Sequence, residues 1–263
     1  TAHPDPGLLL PSLSLARREL VRFVRQPNRV IGALLTPIVF WLLIGGGIGS
    51  SFSAPGLPGG ENYLEFFFPG TILMILLFTA VFSTISIIED RREGFLQSVL
   101  VAPVPRMAIV LGKVIGGTLL ATGQAALFLL LGPLVGIELS LSTFATTLGV
   151  MLLLGFSLTA LGFCVAWPMS STQGFHAIMN LLLLPLWFMS GALFPSTGSW
   201  KVMAWVMAAN PLTYGLAALR RAMYPTGEVA GLPGWPISLG VSIAFAIVML
   251  AIATRLAHTR NGQ

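Results

Sequence analysis

The sequence predicts an all-α polytopic membrane protein with six transmembrane helices, and three observations support this. Of its 263 residues, 55% are apolar and only 9% are charged, and the mean hydropathy is +0.88. Soluble domains carry about 25% charged residues, so this chain lacks the charge for a surface that faces water on all sides. The apolar residues also fall in runs of about 20, long enough for a helix to cross a bilayer. A soluble globular enzyme and a disordered chain both conflict with these values.

Six apolar segments meet the length criterion for membrane spans. Proline lies inside the first and the fifth, at Pro37 and Pro185, and is tolerated there because neighbouring helices can satisfy the freed carbonyl groups. We therefore expect a six-helix transmembrane domain over residues 30–263, preceded by an N-terminal segment over residues 1–29. The six predicted spans are 30–48, 67–88, 110–131, 144–166, 175–194 and 237–257.

The distribution of basic residues predicts the orientation of these spans. Eleven of the fourteen Lys and Arg residues precede span one, lie between spans two and three, or follow span six. The loop 49–66 carries two glutamates and no basic residue. Because Lys and Arg are enriched in cytoplasmic segments, both termini are predicted to be cytoplasmic and the loop 49–66 external.

The segment 195–236 allows two interpretations. It contains two short helical stretches, at about 200–209 and 212–224, and each is too short to cross a bilayer alone. They can form a pair of short external re-entrant helices before the last span. A single seventh span through 202–219 is the alternative. In both topologies eleven of the fourteen Lys and Arg residues lie on one side of the membrane, so the positions of the charges do not decide between them.

The N-terminal segment contains a predicted amphipathic helix over residues 12–26. Arg18, Arg22 and Arg25 recur along it at spacings of four and three, opposite an apolar face. Such a helix is expected to lie at the membrane interface, with its arginines on anionic lipid headgroups. It could also touch a cytoplasmic partner.

The loop 89–109 between spans two and three contains a second short amphipathic helix. Its apolar stripe consists of Phe95, Leu96, Val99 and Leu100. Outside the bilayer such a stripe must lie on the membrane surface or insert into the groove of a partner protein, and its spacing fits both equally.

Polar residues inside two spans form candidate functional positions. Gln173, His176 and Asn180 share one face of span five, and span two carries Thr79 and Ser83. Polar residues at membrane depth normally face protein or water, so these residues could line a translocation path or form hydrogen bonds between helices. The deep parts of the spans contain no Asp, Glu, Lys or Arg, which argues against an ion-coupled carrier.

Motifs for catalysis or nucleotide binding are not found in the sequence. Gly112-Lys113 does not belong to a phosphate-binding loop, because Met107 stands where glycine is required and Val114 where Ser or Thr is required. The histidines form no HExxH zinc motif. The net charge of +5 comes from basic residues beside apolar runs, so no nucleic-acid partner is expected. We therefore expect no catalytic residue, metal site or cofactor in this chain.

Four motifs follow one another along the chain: Tyr63-Leu64 with Phe67-Phe68-Pro69-Gly70, Glu89-Asp90-Arg91-Arg92-Glu93-Gly94 followed by an apolar helix and Pro103-x-x-Arg106, Gly191-Ala192-Leu193-Phe194-Pro195, and Asn210-Pro211-Leu212-Thr213-Tyr214. Together they resemble the motifs of ABC-2 type transporter permeases, the membrane subunits of many bacterial ABC exporters. The resemblance covers nearly the whole sequence.

The resemblance implies a function and a set of partners. The chain would be a bacterial inner-membrane permease, paired with a second copy as a homodimer and driven by two ABC ATPase subunits that bind ATP and Mg. It would export an amphiphilic cargo such as a drug, lipid or glycolipid, without being an enzyme itself. An ATPase-independent secondary carrier or channel is the alternative. The implied coupling residues are Glu93, Gly94, Phe95, Leu96, Val99 and Leu100, and the implied external re-entrant residues are Asn210, Pro211, Tyr214 and Arg220.

Overall fold

The computed structural model describes residues 7–48, 63–193, 201–225 and 232–259. These residues form helices joined by turns and contain no β-strand, which confirms the all-α prediction. Most of the predicted external loop, residues 49–62, lies outside the described residues. The helices are α1 (Leu9–Val24), α2 (Pro27–Ile48), α3 (Tyr63–Ser83), α4 (Ile85–Arg92), α5 (Phe95–Val101), α6 (Arg106–Leu129), α7 (Leu141–Ala166), α8 (Thr172–Trp187), α9 (Lys201–Ala209), α10 (Pro211–Met223) and α11 (Trp235–Thr259).

Each of the six predicted spans coincides with a helix. Five helical segments are long and apolar enough to cross a membrane: α3 continued by α4, α6, α7, α8 with the π-helical turn Phe188–Ala192, and α11. The count reaches six among the described residues if the bent pair α9–α10 is taken as one span. The helix α2 has 22 residues and is about 33 Å long, but its apolar stretch Leu35–Gly47 is shorter than the other five. Pro37 lies inside α2 and Pro185 inside α8, as the sequence predicts.

The helix α3 forms the centre of the bundle. It packs against α2, α6, α7, α8 and α10. In the most apolar stretch of the α3–α4 segment 78% of the residues are buried, against only 22% in α11. The outer faces of α11 and α8 are therefore available to lipid or to another subunit. We name the two ends of the bundle by their residues: the charged end contains Asp90 and Lys113, and the distal end contains Tyr63 and Leu193, which share a hydrogen bond.

The segment between α8 and α11 is a re-entrant hairpin. Its two helices, α9 and α10, are bent by 82° relative to each other, so residues 202–219 do not form one straight spanning helix. At the bend, the Asn210 side-chain nitrogen donates to the Leu186 carbonyl oxygen at 2.7 Å. Near the end of the hairpin, the Tyr224 hydroxyl donates to the Glu65 carbonyl oxygen at the distal end. The chain thus enters the bundle and returns to the same end.

The N-terminal helix α1 packs tightly onto the start of α6. Two glycines permit this contact, because a Cβ added at Gly112 would lie 2.6 Å from the Leu15 Cβ. A Cβ added at Gly116 would lie 2.9 Å from the Glu19 Cβ. The opposite face of α1 carries exposed leucines, among them Leu9 and Leu13. The amphipathic helix is therefore held by the bundle on one side and is apolar on the other, as expected at a membrane interface.

Candidate functional site

A network of charged side chains at the charged end is centred on Asp90. This carboxylate has no exposed surface and lies at the end of the long α3–α4 segment. Arg18 donates to both of its oxygens, at 3.0 and 2.8 Å, and Arg22 donates to Oδ1 at 3.1 Å. Lys113 donates to Oδ2. A carboxylate with three cationic donors is stabilised in its charged form despite its burial.

Lys113 connects this carboxylate to α1. The side chain is only 3% exposed, and its ammonium group donates to Asp90, to Glu19 Oε1 at 2.6 Å and to Ser86 Oγ at 3.1 Å. All three ammonium hydrogens therefore have an acceptor. The group is engaged within the chain and is not available to bind a phosphate.

Arg18 joins three helices. From α1 it forms the bidentate pair with Asp90 of α4, and its guanidinium carbon lies 3.7 Å from the centre of the Phe95 ring of α5. The hydrogen bonds to Asp90 raise the pKa of this guanidinium above its ordinary value, although partial burial opposes the shift. Arg18 and Arg22 thus face this network, whereas Arg25 is exposed and is the one of the three free to meet headgroups as predicted.

The short loop helix α5 turns its predicted apolar stripe toward this chain, and a different face is left for a partner. Gly94, with φ of +76°, turns the chain between α4 and α5. Leu96 is only 3% exposed, and Phe95, Val99 and Leu100 are half-buried, so the predicted apolar stripe packs largely against this chain. The exposed side chains of α5 itself are Gln97, Ser98 and Val101, of which Val101 is 86% exposed. Arg92, Glu93, Pro103 and Pro105 are exposed beside it on the same loop.

The other side of α4 is attached to the turn between α7 and α8. Arg91 donates to the carbonyl oxygens of Met169 and Trp167 at 2.8 and 2.7 Å, and Arg92 donates to that of Ser170 at 3.1 Å. The helix α4 is thus bonded to α1 and α6 on one side and to the turn between α7 and α8 on the other.

An apolar groove of about 610 Å³ lies between α2, α3 and α8. Three of the predicted translocation residues, Thr79, Ser83 and His176, line it. The His176 ring stacks on Phe82 with centroids 5.0 Å apart, and the Thr79 hydroxyl donates to Gln124 Oε1 at 2.6 Å. The groove is otherwise mainly aromatic and aliphatic, with Phe23, Phe40, Phe78, Phe82, Met74 and Trp187 among its residues.

The remaining polar residues of α8 face outward. Gln173 and Asn180 are exposed together with His176, and none of the three forms a hydrogen bond to another described residue. Within the described parts of the chain, the alternative of interhelical hydrogen bonds therefore applies to Thr79 but not to these three. Their face is left for water, lipid or another subunit.

The predicted re-entrant residues stabilise the hairpin. Asn210 caps α10 by accepting from the Leu212 amide at 3.0 Å, and Pro211 is the first residue of that helix. The Tyr214 hydroxyl donates to the Ala208 carbonyl at 2.8 Å. The buried Arg220 donates to the Gly191 carbonyl at 3.1 Å and stacks over the Phe66 ring. All four thus have structural contacts.

Among the described residues, no three His, Cys, Asp or Glu side chains are grouped so that they could hold a metal ion. The buried carboxylates Glu19 and Asp90 are each paired with a basic side chain. The arrangement is suited to linking helices mechanically and to enclosing an apolar ligand.

A family model described as ABC-2 type transporter matches residues 12–224. The chain belongs to the ABC-2 type transporter family. It is therefore a multi-pass membrane subunit of an ABC transporter. The matched region begins in α1 and ends after α10, so this ABC-2 type chain carries its charge network, groove and hairpin within the part that defines the family.

Three curated relatives cover most of this ABC-2 type chain. Transport permease ycf38 of Cyanophora paradoxa is 28% identical over 210 residues, which are 78% of this chain and 71% of the relative. Daunorubicin resistance ABC transporter permease protein DrrB1 of Streptomyces coeruleorubidus is 26% identical over 250 residues, or 94% and 85% of the two chains. Inner membrane transport permease YadH of Escherichia coli strain K12 is 24% identical over 250 residues, or 92% and 94%.

Sequence reasoning missed the central residues of the network in this ABC-2 type chain, namely Glu19, Asp90 and Lys113. Asp90 was visible as part of the cluster 89–94, but its partners lie 72 residues before it and 23 after it. A signal was present in the opposite charges placed beside spans, at Glu19 in an arginine-rich helix and at Lys113 near the start of an apolar run.

Proposed function

We propose that this chain is the permease subunit of an ABC exporter that moves an amphiphilic cargo outward, using energy from separate ATPase subunits. The observation that carries the proposal is the continuity of α3 and α4. One half of this segment forms a wall of the apolar groove, through Thr79 and Ser83. Its end holds Asp90, which is bonded to the helices around the loop helix α5. Motion at the loop is thereby transmitted to the groove.

The exposed face of α5 is the proposed docking surface for the ATPase, one on each of two permease copies. Val101 is 86% exposed outside the spanning segments, and Gln97 and Ser98 of the same helix are exposed with it, so this face is accessible to a protein partner. ATP and Mg would be bound by the ATPase alone. In this arrangement the charged end and both termini face the cytoplasm of a bacterial cell, in agreement with the distribution of basic residues.

The exposed face of α8 supports a homodimer. Gln173, His176 and Asn180 are polar and exposed at the surface of a membrane-spanning helix. Polar residues at membrane depth are costly against lipid and normally face protein or water. A second copy placed against α8 would shield them and would close the groove into a path between the two subunits.

The groove fits a cargo that is largely apolar and has a small polar part. Its lining is rich in Phe and Trp, and the polar groups Glu89 and His176 lie among them. A drug, a lipid or a glycolipid shares these properties. The relative DrrB1 carries daunorubicin resistance in its name, which favours a drug-like aromatic cargo.

The test is co-purification with the ABC ATPase encoded beside this chain. Val101→Asp changes an exposed residue of α5 and leaves the packed residues intact, so it should release the ATPase from a folded permease. Leu134→Asp is the matched control, because Leu134 is 78% exposed in the turn 132–135 that follows α6, at the opposite end of that helix from the loop. Retention of the ATPase by Val101→Asp, or release by both variants, would contradict the docking surface.

A further inference from the structure

A second groove, outside the proposed cargo path, lies on the outer face of α11 beside the start of α6. It encloses about 560 Å³ and is lined by Met107, Ile247, Leu250, Ala251, Thr254, Arg255, His258 and Thr259. The surface of α11 is mostly exposed within this chain, and α11 is a membrane-spanning helix. In the membrane this groove must therefore be covered by lipid or by another protein.

The groove has the length and polarity of one lipid leaflet. Ile247 and His258 are eleven residues apart on α11, which corresponds to about 16 Å along a helix. One leaflet contributes about half of a hydrocarbon core of about 30 Å. The half near Ile247 and Ala251 is apolar, and the half near Arg255 and His258 carries nitrogen donors. This order matches an acyl chain below a headgroup.

The half of the groove near Arg255 contains no acidic side chain that could pair with this arginine, among the described residues. Arg255 is exposed and forms no ion pair there, and no acidic residue lines the groove. The buried carboxylates of the charged end, Glu19 and Asp90, are held by Lys113 and Arg18. A negatively charged headgroup would thus meet an unneutralised guanidinium.

Arg106 removes the usual obstacle to an anion at this position. The C-terminal end of a helix carries unpaired carbonyl groups and a partial negative charge, which repel anions. Here Arg106 Nη1 donates to the carbonyl oxygens of Ala257 and His258, at 3.1 and 2.8 Å. The last turn of α11 is therefore neutralised from α6, and a phosphate beside Arg255 does not face bare carbonyl oxygens.

We infer that this groove binds an anionic glycerophospholipid, with its phosphate on Arg255 and His258 and an acyl chain along Ile247 and Ala251. Basic pockets between spanning helices are suited to such headgroups. The bound lipid would lie along the last span and contact the start of α6 through Met107. This site is separate from the cargo groove between α2, α3 and α8.

Native mass spectrometry of the purified full chain with added phosphatidylglycerol or phosphatidylcholine tests this site. We expect phosphatidylglycerol adducts to be retained preferentially, and Arg255→Gln to weaken this binding about fivefold. Arg17→Gln is the matched control, because Arg17 is also exposed but lies on α1, away from the groove. Ala251→Phe fills the apolar half without a change of charge and should weaken binding as well.

Two outcomes would overturn the inference. The first is equal loss of phosphatidylglycerol in Arg255→Gln and Arg17→Gln, or an unchanged adduct in Ala251→Phe, since either result indicates general attraction to anionic lipid. The second is a disulfide between two chains that carry Ala251→Cys with Cys164→Ala, because a second copy would then cover the groove. A headgroup-selective loss in both groove variants supports the site.

Discussion

Lys113 and Asp90 form a buried ion pair that joins the start of the third predicted span to the end of the second. The pair is shielded from water by α1, whose Glu19 also accepts from Lys113. Around it, α1, α4, α5 and α6 are connected into one unit at the charged end. This unit links the exposed loop helix to the groove, so the proposed transport function depends on it.

Loss of Lys113 is expected to destabilise the protein strongly. Lys113→Met leaves Asp90 and Glu19 buried without their shared ammonium group, and breaking such a pair costs about 3–5 kcal/mol. The thermal unfolding temperature of the purified chain should fall markedly. Lys201→Met removes an exposed lysine and serves as the control, with little change expected. Similar small effects of the two substitutions would show that the network contributes little to stability.

The geometry of Arg18 predicts that lysine cannot replace it. Its planar guanidinium binds both oxygens of Asp90 and stacks on Phe95, and an ammonium group can do neither as well. Arg18→Lys should lower ATPase stimulation in the assembled transporter, while Arg25→Lys, at an exposed position, should not. Equal activities of the two variants would mean that α1 and α5 are not functionally linked through Arg18.

Gly94 is predicted to set the angle of the loop helix. A side chain at its φ of +76° costs about 1–2 kcal/mol, although no neighbouring atom would be struck. Gly94→Ala should therefore weaken the affinity for the ATPase while it lowers the thermal unfolding temperature only slightly. Gly123→Ala is the control, because Gly123 lies in α6 with open space around it and ordinary helical φ. An ATPase affinity that is the same in both variants contradicts this role.

The spanning helices were predictable because the signal for a membrane helix is local: about 20 apolar residues suffice. The existence of α5 was predictable for the same reason. Its orientation was not, since the stripe of Phe95 and Leu96 fits the chain's own surface as well as a partner's. The pairing of Asp90 with Arg18 was also not predictable from the sequence, because it depends on how α1 packs against Gly112 and Gly116. The hairpin became clear only with the bend at Asn210.

The cargo groove gives a prediction about transport that is independent of assembly. Gly32 lines the groove and has no atom within 4 Å of an added Cβ, so Gly32→Phe should occupy the groove without disturbing the bundle. Export should fall severalfold while the ATPase stays bound. Gly240→Phe adds the same ring at an exposed position of α11 and should leave export unchanged. Normal export by Gly32→Phe would place the cargo path elsewhere.

The most direct test of the central claim is ATP-dependent transport in reconstituted vesicles that contain this chain and its ATPase. A fluorescent amphiphile such as daunorubicin can be followed across the membrane with wild type and with Val101→Asp. We expect transport only when the ATPase and ATP are both present, and its loss in Val101→Asp. Transport by the chain alone, driven by an ion gradient and unchanged by Val101→Asp, would contradict the account and indicate a secondary carrier.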